Sequence, residues 1–138
     1  MIEKFTILLY AAAATTLIAG LLHINKVIDT ISSGEQIGNA DNLFLVGGIA
    51  QVFWVIPIIR QWSKIWYSIG IAGTAVFMLL WIITRLPENP ITGRAGPISG
   101  EGIIIQIFQI VFIVISTIIL INSTKAKNNS RIKILANL

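Results

Sequence analysis

Four apolar runs, each near bilayer length and separated by short polar connections, leave this chain few folds to choose from. They are "FTILLYAAAATTLIAGLLHI" (5–24), "LFLVGGIAQVFWVIPII" (43–59), "IWYSIGIAGTAVFMLLWIIT" (65–84) and "IIIQIFQIVFIVISTIILIN" (103–122). A helix needs about 20 such residues to cross roughly 30 Å of hydrocarbon. Burying four such helices in water would take a much larger soluble protein than 138 residues provide. Only 12% of the residues are charged, about half the share usual for a soluble domain. The expected fold is therefore all-α, an integral membrane four-helix bundle in the cell membrane. Residues 1–122 form the four-span domain, and 123–138 form a basic cytoplasmic tail.

The first run follows Lys4 and contains small residues, as a signal peptide would, but its apolar stretch is too long, and it reads as a retained helix. Lys4, Arg60, Lys64, Lys125, Lys127, Arg131 and Lys133 fall on one side of the four spans. Lys26, Arg85 and Arg94 fall on the other. The positive-inside rule then puts both termini in the cytoplasm. Trp62, Trp66 and Tyr67 are expected at the inner headgroup level and Trp81 towards the outer one. Because the basic residues flank apolar segments, the net charge of +4 reads as orientation and lipid attraction, with no nucleic-acid partner.

Small residues dominate parts of the second and third spans. Gly47, Gly48, Gly70 and Gly73 are expected to let helix backbones approach closely, and the short connection between these spans predicts an antiparallel hairpin. Gln51, Gln106 and Gln109 are polar groups within or near the bilayer. Their default role is interhelical hydrogen bonding, with a transport path as the alternative. His23 is the only histidine and cysteine is absent, so a metal site would need carboxylate or water ligands. We therefore expect no metal or other cofactor. His23 reads first as a hydrogen-bonded interface residue, with metal ligation the minor alternative.

The connection "TRLPENPITGRAG" (84–96) combines two arginines, two prolines and two glycines. Pro87 and Pro90 bias the residues before them away from helix, which should stop the third span near Arg85. Gly93 and Gly96 offer turns of positive φ. Arg85 is placed to cap a helix C-terminus. The alternative role for Arg85, Arg94, Glu88 and Glu101 is an outer-face cluster, with His23 and Asn25 as neighbours.

"GLLHIN", "LFLVGGIAQVFWVIPIIRQW" and "WYSIGIAGTAVFMLLWIITRLPENPITGR" resemble a family of small four-helix membrane proteins of archaea, notably ammonia oxidisers. The resemblance covers about residues 20–122. Looser bacterial relatives share a histidine in the first span and a "TR…LP" step, matched here by His23, Thr84, Arg85, Leu86 and Pro87. No catalytic residue is carried over. Such organisms hold a membrane-bound copper monooxygenase with small accessory helical subunits, and the resemblance implies a place among them. The copper-ligand histidine clusters of the catalytic subunits are absent from this chain.

No ionisable residue lies near the centre of any span, which counts against proton- or ion-coupled transport. Hydrolase serine motifs, phosphate loops and paired intramembrane carboxylates are also missing, so we expect no catalysis by the chain alone. The first expectation is a non-catalytic accessory subunit packing against other membrane subunits and lipid, and the resemblance implies an ammonia monooxygenase as the complex. The alternative is a small oligomeric transporter or channel for a neutral solute. Sites singled out for interaction are His23, Gln51, Gly70, Gly73, Arg85, Pro87, Pro90, Arg94 and Glu101.

Overall fold

The computed structural model describes the backbone of residues 2–136 and the side chains of residues 3–123. The chain forms four helices: α1 (Ile2–Ser32), α2 (Asn39–Ile59), α3 (Lys64–Ile83) and α4 (Gly100–Ala136). Each contains a stretch long and apolar enough to cross a membrane. Their outward faces carry exposed Ile7, Val46, Val76, Leu79, Ile107 and Val114. A protein in water would bury much of that surface; a bilayer accommodates it.

The third helix keeps nearly the bounds expected for its span, but the others are longer. α1 runs eight residues past its apolar stretch, because nothing in "NKVIDTIS" breaks a helix. Asn25 bonds to Asp29 one turn on, and Val27 is buried. The helix stops at Gly34, whose φ of +74° turns the chain. There the Glu35 and Gly34 amides donate to the Thr30 and Ile31 carbonyls, a Schellman ending. α2 ends the same way with Gln61 at φ +50°, as Trp62 and Gln61 donate to Pro57 and Ile58. Asp41 accepts the Gly38 amide and fixes the start of α2. α4 continues as helix to Ala136, through most of the stretch expected as a separate tail; the tail's side chains lie outside the described residues.

Among the described residues, α1 packs on α2 and α4, α3 packs on α4 and α2, and the diagonal pairs do not meet. The α1–α2 contact is the most extensive and α2–α3 the thinnest. The expected α2–α3 hairpin therefore forms, but it is not the tight pair. Glycine explains the difference. A Cβ on Gly20 would come within 2.8 Å of the Gly48 carbonyl oxygen, and one on Gly48 within 2.8 Å of the Gly20 carbonyl oxygen. These two reciprocal glycines seat α1 directly on α2. Gly47 faces the Phe77 ring and Gly70 faces the Trp54 indole. Those glycines make room for aromatic rings, and the rings hold α2 and α3 apart.

The bundle is solid at one end only. Leu9, Ala12, Ala13, Ile58, Tyr67, Phe112 and Ile119 form the core, near the α2–α3 connection. Trp54, Trp62 and Trp66 cluster at the same end, with the Trp54 indole N–H donating to the Trp66 carbonyl at 3.1 Å. The opposite end, where the α1–α2 and α3–α4 connections meet, is hollow.

Candidate functional site

The hollow end encloses an open cavity of about 670 Å³, the vestibule. Its walls come from the end of α1, the start of α2, the end of α3 and the start of α4, and its rim from both connections. The Asn39 amide donates to the Ile91 carbonyl at 3.1 Å and ties the two connections together.

The α3–α4 connection keeps its shape through a residue that the sequence reading did not single out. Asn89 is only 4% exposed. Its side-chain oxygen accepts from the Ile91 amide, the Thr92 amide and the Thr92 hydroxyl at 3.1, 2.8 and 3.0 Å. Its amide nitrogen donates to the Leu86 and Arg94 carbonyls, each at 2.9 Å. An Asn whose side chain closes the turn that follows it was the available signal in "NPITG". Pro87 and Pro90 lie exposed on the outside of this loop. Gly93 has the expected positive φ, +71°. Gly96 does not; positive φ falls instead on Glu88, at +52°. Gly96 is needed for space, since a Cβ there would meet Arg85 Nη1 at 2.8 Å.

Arg85 was expected to cap the end of α3, but the Gly96 amide bonds the Thr84 carbonyl there, at 2.8 Å. The guanidinium turns inward instead. It lies 4.8 Å from the Trp81 ring centre, and its Nη1 donates to the Thr84 hydroxyl at 2.9 Å. Its Nε is buried without a partner. Burial lowers the pKa of this group from its usual value, the mark of a cation short of water. Of the expected outer cluster, Arg85, Arg94 and Glu101 all line the vestibule, and Lys26 joins them by pairing with Glu101 at 3.6 Å. Glu88 stands exposed in the loop, and Asn25 faces outward and binds Asp29.

His23 lies deeper. It is 4% exposed, stacks on Phe44 with ring centres 5.4 Å apart, and places Nε2 3.1 Å from Gln109 Nε2. A glutamine amide can present either end to the ring. In both orientations one histidine nitrogen and one amide atom stay unmatched, and His23 Nδ1 and Gln109 Oε1 are indeed buried without partners. A small cavity of about 20 Å³ beside His23 shares Phe44, Trp81 and Thr84 with the vestibule wall. Of the other two glutamines, Gln106 has a buried, unpartnered Nε2. The Gln51 carbonyl accepts the Thr16 hydroxyl at 3.1 Å, while its side-chain oxygen is buried with no partner. Among the described residues no three His, Cys, Asp or Glu side chains converge as metal ligands.

A further feature is a groove of about 90 Å³ between α2 and α3, lined by Gln51, Trp54, Gly70, Gly73 and Thr74 among others. Gly73 was expected at a close crossing. A Cβ there would meet nothing within 4 Å, so no crossing among the described residues uses it. The glycine that does serve a close crossing beside Gly48 is Gly20, which the sequence reading passed over.

Comparison with protein-family models, curated proteins and solved structures gives no match to this chain.

Proposed function

We propose that the chain is a non-catalytic accessory subunit of a larger membrane complex, holding a partner's transmembrane helix in the groove between α2 and α3. One observation carries this reading. On a face that lipid would otherwise cover, the groove combines an open glycine, Gly73, with a buried and unpartnered acceptor, the Gln51 side-chain oxygen. Small residues let a helix approach closely, and an acceptor at membrane depth calls for a donor. A partner helix with a serine, threonine or asparagine at the crossing supplies both bulk and donor. The excess of basic residues on the α2–α3 side favours both termini in the cytoplasm, with the vestibule facing outward. The resemblance of the sequence makes a membrane-bound copper monooxygenase the first complex to examine as partner.

The test is Gly73→Leu beside Val76→Leu, which changes an exposed position on the same helix. Gly73→Leu should not lower the unfolding midpoint of the isolated protein, yet should abolish its migration with a larger hetero-complex on native gels of gently solubilised membranes. Val76→Leu should migrate as wild type. If Gly73→Leu still co-migrates fully, the groove is not the docking surface.

A second reading, a conduit for a small neutral solute, is favoured by the small cavity beside His23, which shares Trp81 and Thr84 with the vestibule wall. A homo-oligomer without other subunits on the same native gels supports it over the first.

A further inference from the structure

We propose that the vestibule is a binding site for a small oxyanion, a carboxylate or phosphate ester, whose charge is held by Arg85 and Arg94 and whose apolar part lies against Trp81 and Phe44. Nothing in the accessory-subunit reading requires this site, and the groove between α2 and α3 plays no part in it.

Hydrogen-bond bookkeeping sets the sign of the ligand. Two vestibule-lining residues bury polar side-chain atoms with no partner, at Trp81 Nε1 and Arg85 Nε. Both are N–H groups that can only donate. The unmet groups of this wall are thus donors set just behind its surface, which favours a ligand bearing acceptors.

Charge gives the same answer. Of the three acids on the wall, Asp41 and Glu101 are engaged, while Glu35 stands exposed at the rim in the α1–α2 connection. Asp41 accepts the Thr30 hydroxyl with one oxygen and the Gly38 amide with the other, at 3.0 and 2.8 Å. Glu101 pairs with Lys26. Arg85 lies over the Trp81 ring and spends only Nη1 on Thr84, so other N–H groups of its guanidinium are left for an anion. Arg94 is exposed, and only its carbonyl is used, by Asn89 and Thr92. Two guanidinium forks suit planar carboxylates and phosphates, which take paired hydrogen bonds.

Size and shape agree as well. At about 670 Å³ the cavity falls within the usual range of small-molecule sites, roughly 300–1,000 Å³. Two glycines leave room for the Arg85 and Trp81 side chains. A Cβ on Gly96 would strike Arg85 Nη1, and one on Gly102 would come within 3.1 Å of Trp81 Nε1. The oxyanion can come from solution or from the headgroup of an anionic lipid, because the vestibule lies where the helices leave the apolar layer.

The experiment uses the full chain purified in neutral detergent at constant ionic strength, with benzoate as the soluble probe and thermal unfolding as the readout. In parallel, the chain is placed in nanodiscs of phosphatidylcholine with or without phosphatidylglycerol. Stabilisation by benzoate in detergent identifies a soluble ligand class; stabilisation by phosphatidylglycerol alone identifies a lipid headgroup. In either case Arg94→Gln, at an exposed position, should weaken the apparent affinity by roughly tenfold, the worth of a hydrogen bond to a charged group. Trp81→Phe keeps the ring under Arg85 but removes the indole donor, and should weaken it severalfold. Arg60→Gln, on the opposite end of the bundle, should respond as wild type. The proposal fails if neither probe stabilises the wild-type chain. It fails equally if Arg94→Gln and Arg60→Gln respond alike.

Discussion

Gly48→Ala and Gly73→Ala add the same methyl group to neighbouring helices and should have opposite effects. At position 48 the new carbon would lie 2.8 Å from the Gly20 carbonyl oxygen, 2.8 Å from Ile24 Cγ1 and 3.1 Å from His23 Cβ. Ordinary contact begins near 3.4 Å, so α1 and α2 must separate by about 0.6 Å. The obstruction includes backbone, which cannot rotate away. Overpacking of this kind costs about 1–3 kcal/mol. Replacing glycine by alanine in a helix returns roughly 0.8–1 kcal/mol in water, leaving a net loss of about 1 kcal/mol. At position 73 nothing lies within 4 Å, so the helix-propensity gain stands alone, at up to about 1 kcal/mol. The two variants should therefore differ by about 2 kcal/mol, roughly 30-fold in the unfolding equilibrium. Titration with dodecyl sulfate in mixed micelles, followed by circular dichroism at 222 nm, measures the difference. The pair Gly20→Ala and Gly48→Ala should cost less together than the sum of the two, because one separation relieves both clashes. Equal stability of Gly48→Ala and Gly73→Ala would refute the assignment of the tight crossing to α1 and α2.

The His23–Gln109 pair should show coupling in a double-mutant cycle of His23→Leu and Gln109→Leu, on the order of 0.6–2 kcal/mol, because each single change strands its partner in the interior. Strict additivity in the same micelle titration would mean that the two side chains are merely adjacent. For orientation, a cysteine at the exposed position Gln36 should react with an impermeant maleimide added outside intact cells. One at exposed Ser63 should react only after the membrane is opened. Reversed labelling would overturn the charge count that places the termini inside.

The four helices were legible because apolar runs of this length have one inexpensive conformation in lipid, and α3 starts and ends within a residue of its apolar run. Helix ends were less legible. α1 overran its apolar stretch because no residue before Gly34 opposes the helix, and hydropathy marks where lipid ends, not where hydrogen bonding ends. Glycine roles were the least legible. Gly20, Gly70 and Gly73 look alike in sequence, yet one meets backbone, one an indole and one open space. The difference lies in the neighbouring helix, which local pattern does not contain. Arg85, Arg94 and Glu101 were grouped from sequence as one cluster, and the structure lines one cavity with all three. Arg85's inward turn depends on Gly96 and Trp81 coming together across a loop, which spacing could not reveal.

Among the polar atoms left unmatched inside the bundle, those at the two proposed sites differ in sign. At the vestibule they are donors, Trp81 Nε1 and Arg85 Nε; at the α2–α3 groove the atom is an acceptor, Gln51 Oε1. Unmet groups at membrane depth cost several kcal/mol each, so a chain retains them where something else completes them. One partner cannot serve both places, because a molecule rich in acceptors suits the vestibule and leaves Gln51 unanswered. The solid core around Phe112 and Tyr67 holds the helix ends near the α2–α3 connection together, so filling either site need not disturb the other. The two proposals are thus separable by their own variants. Arg94→Gln should lower the response to benzoate or phosphatidylglycerol while co-migration with the larger complex stays intact. Gly73→Leu should do the reverse. If each variant abolished both properties, the vestibule and the groove would have to be read as one continuous site, and the division by hydrogen-bond sign would lose its meaning.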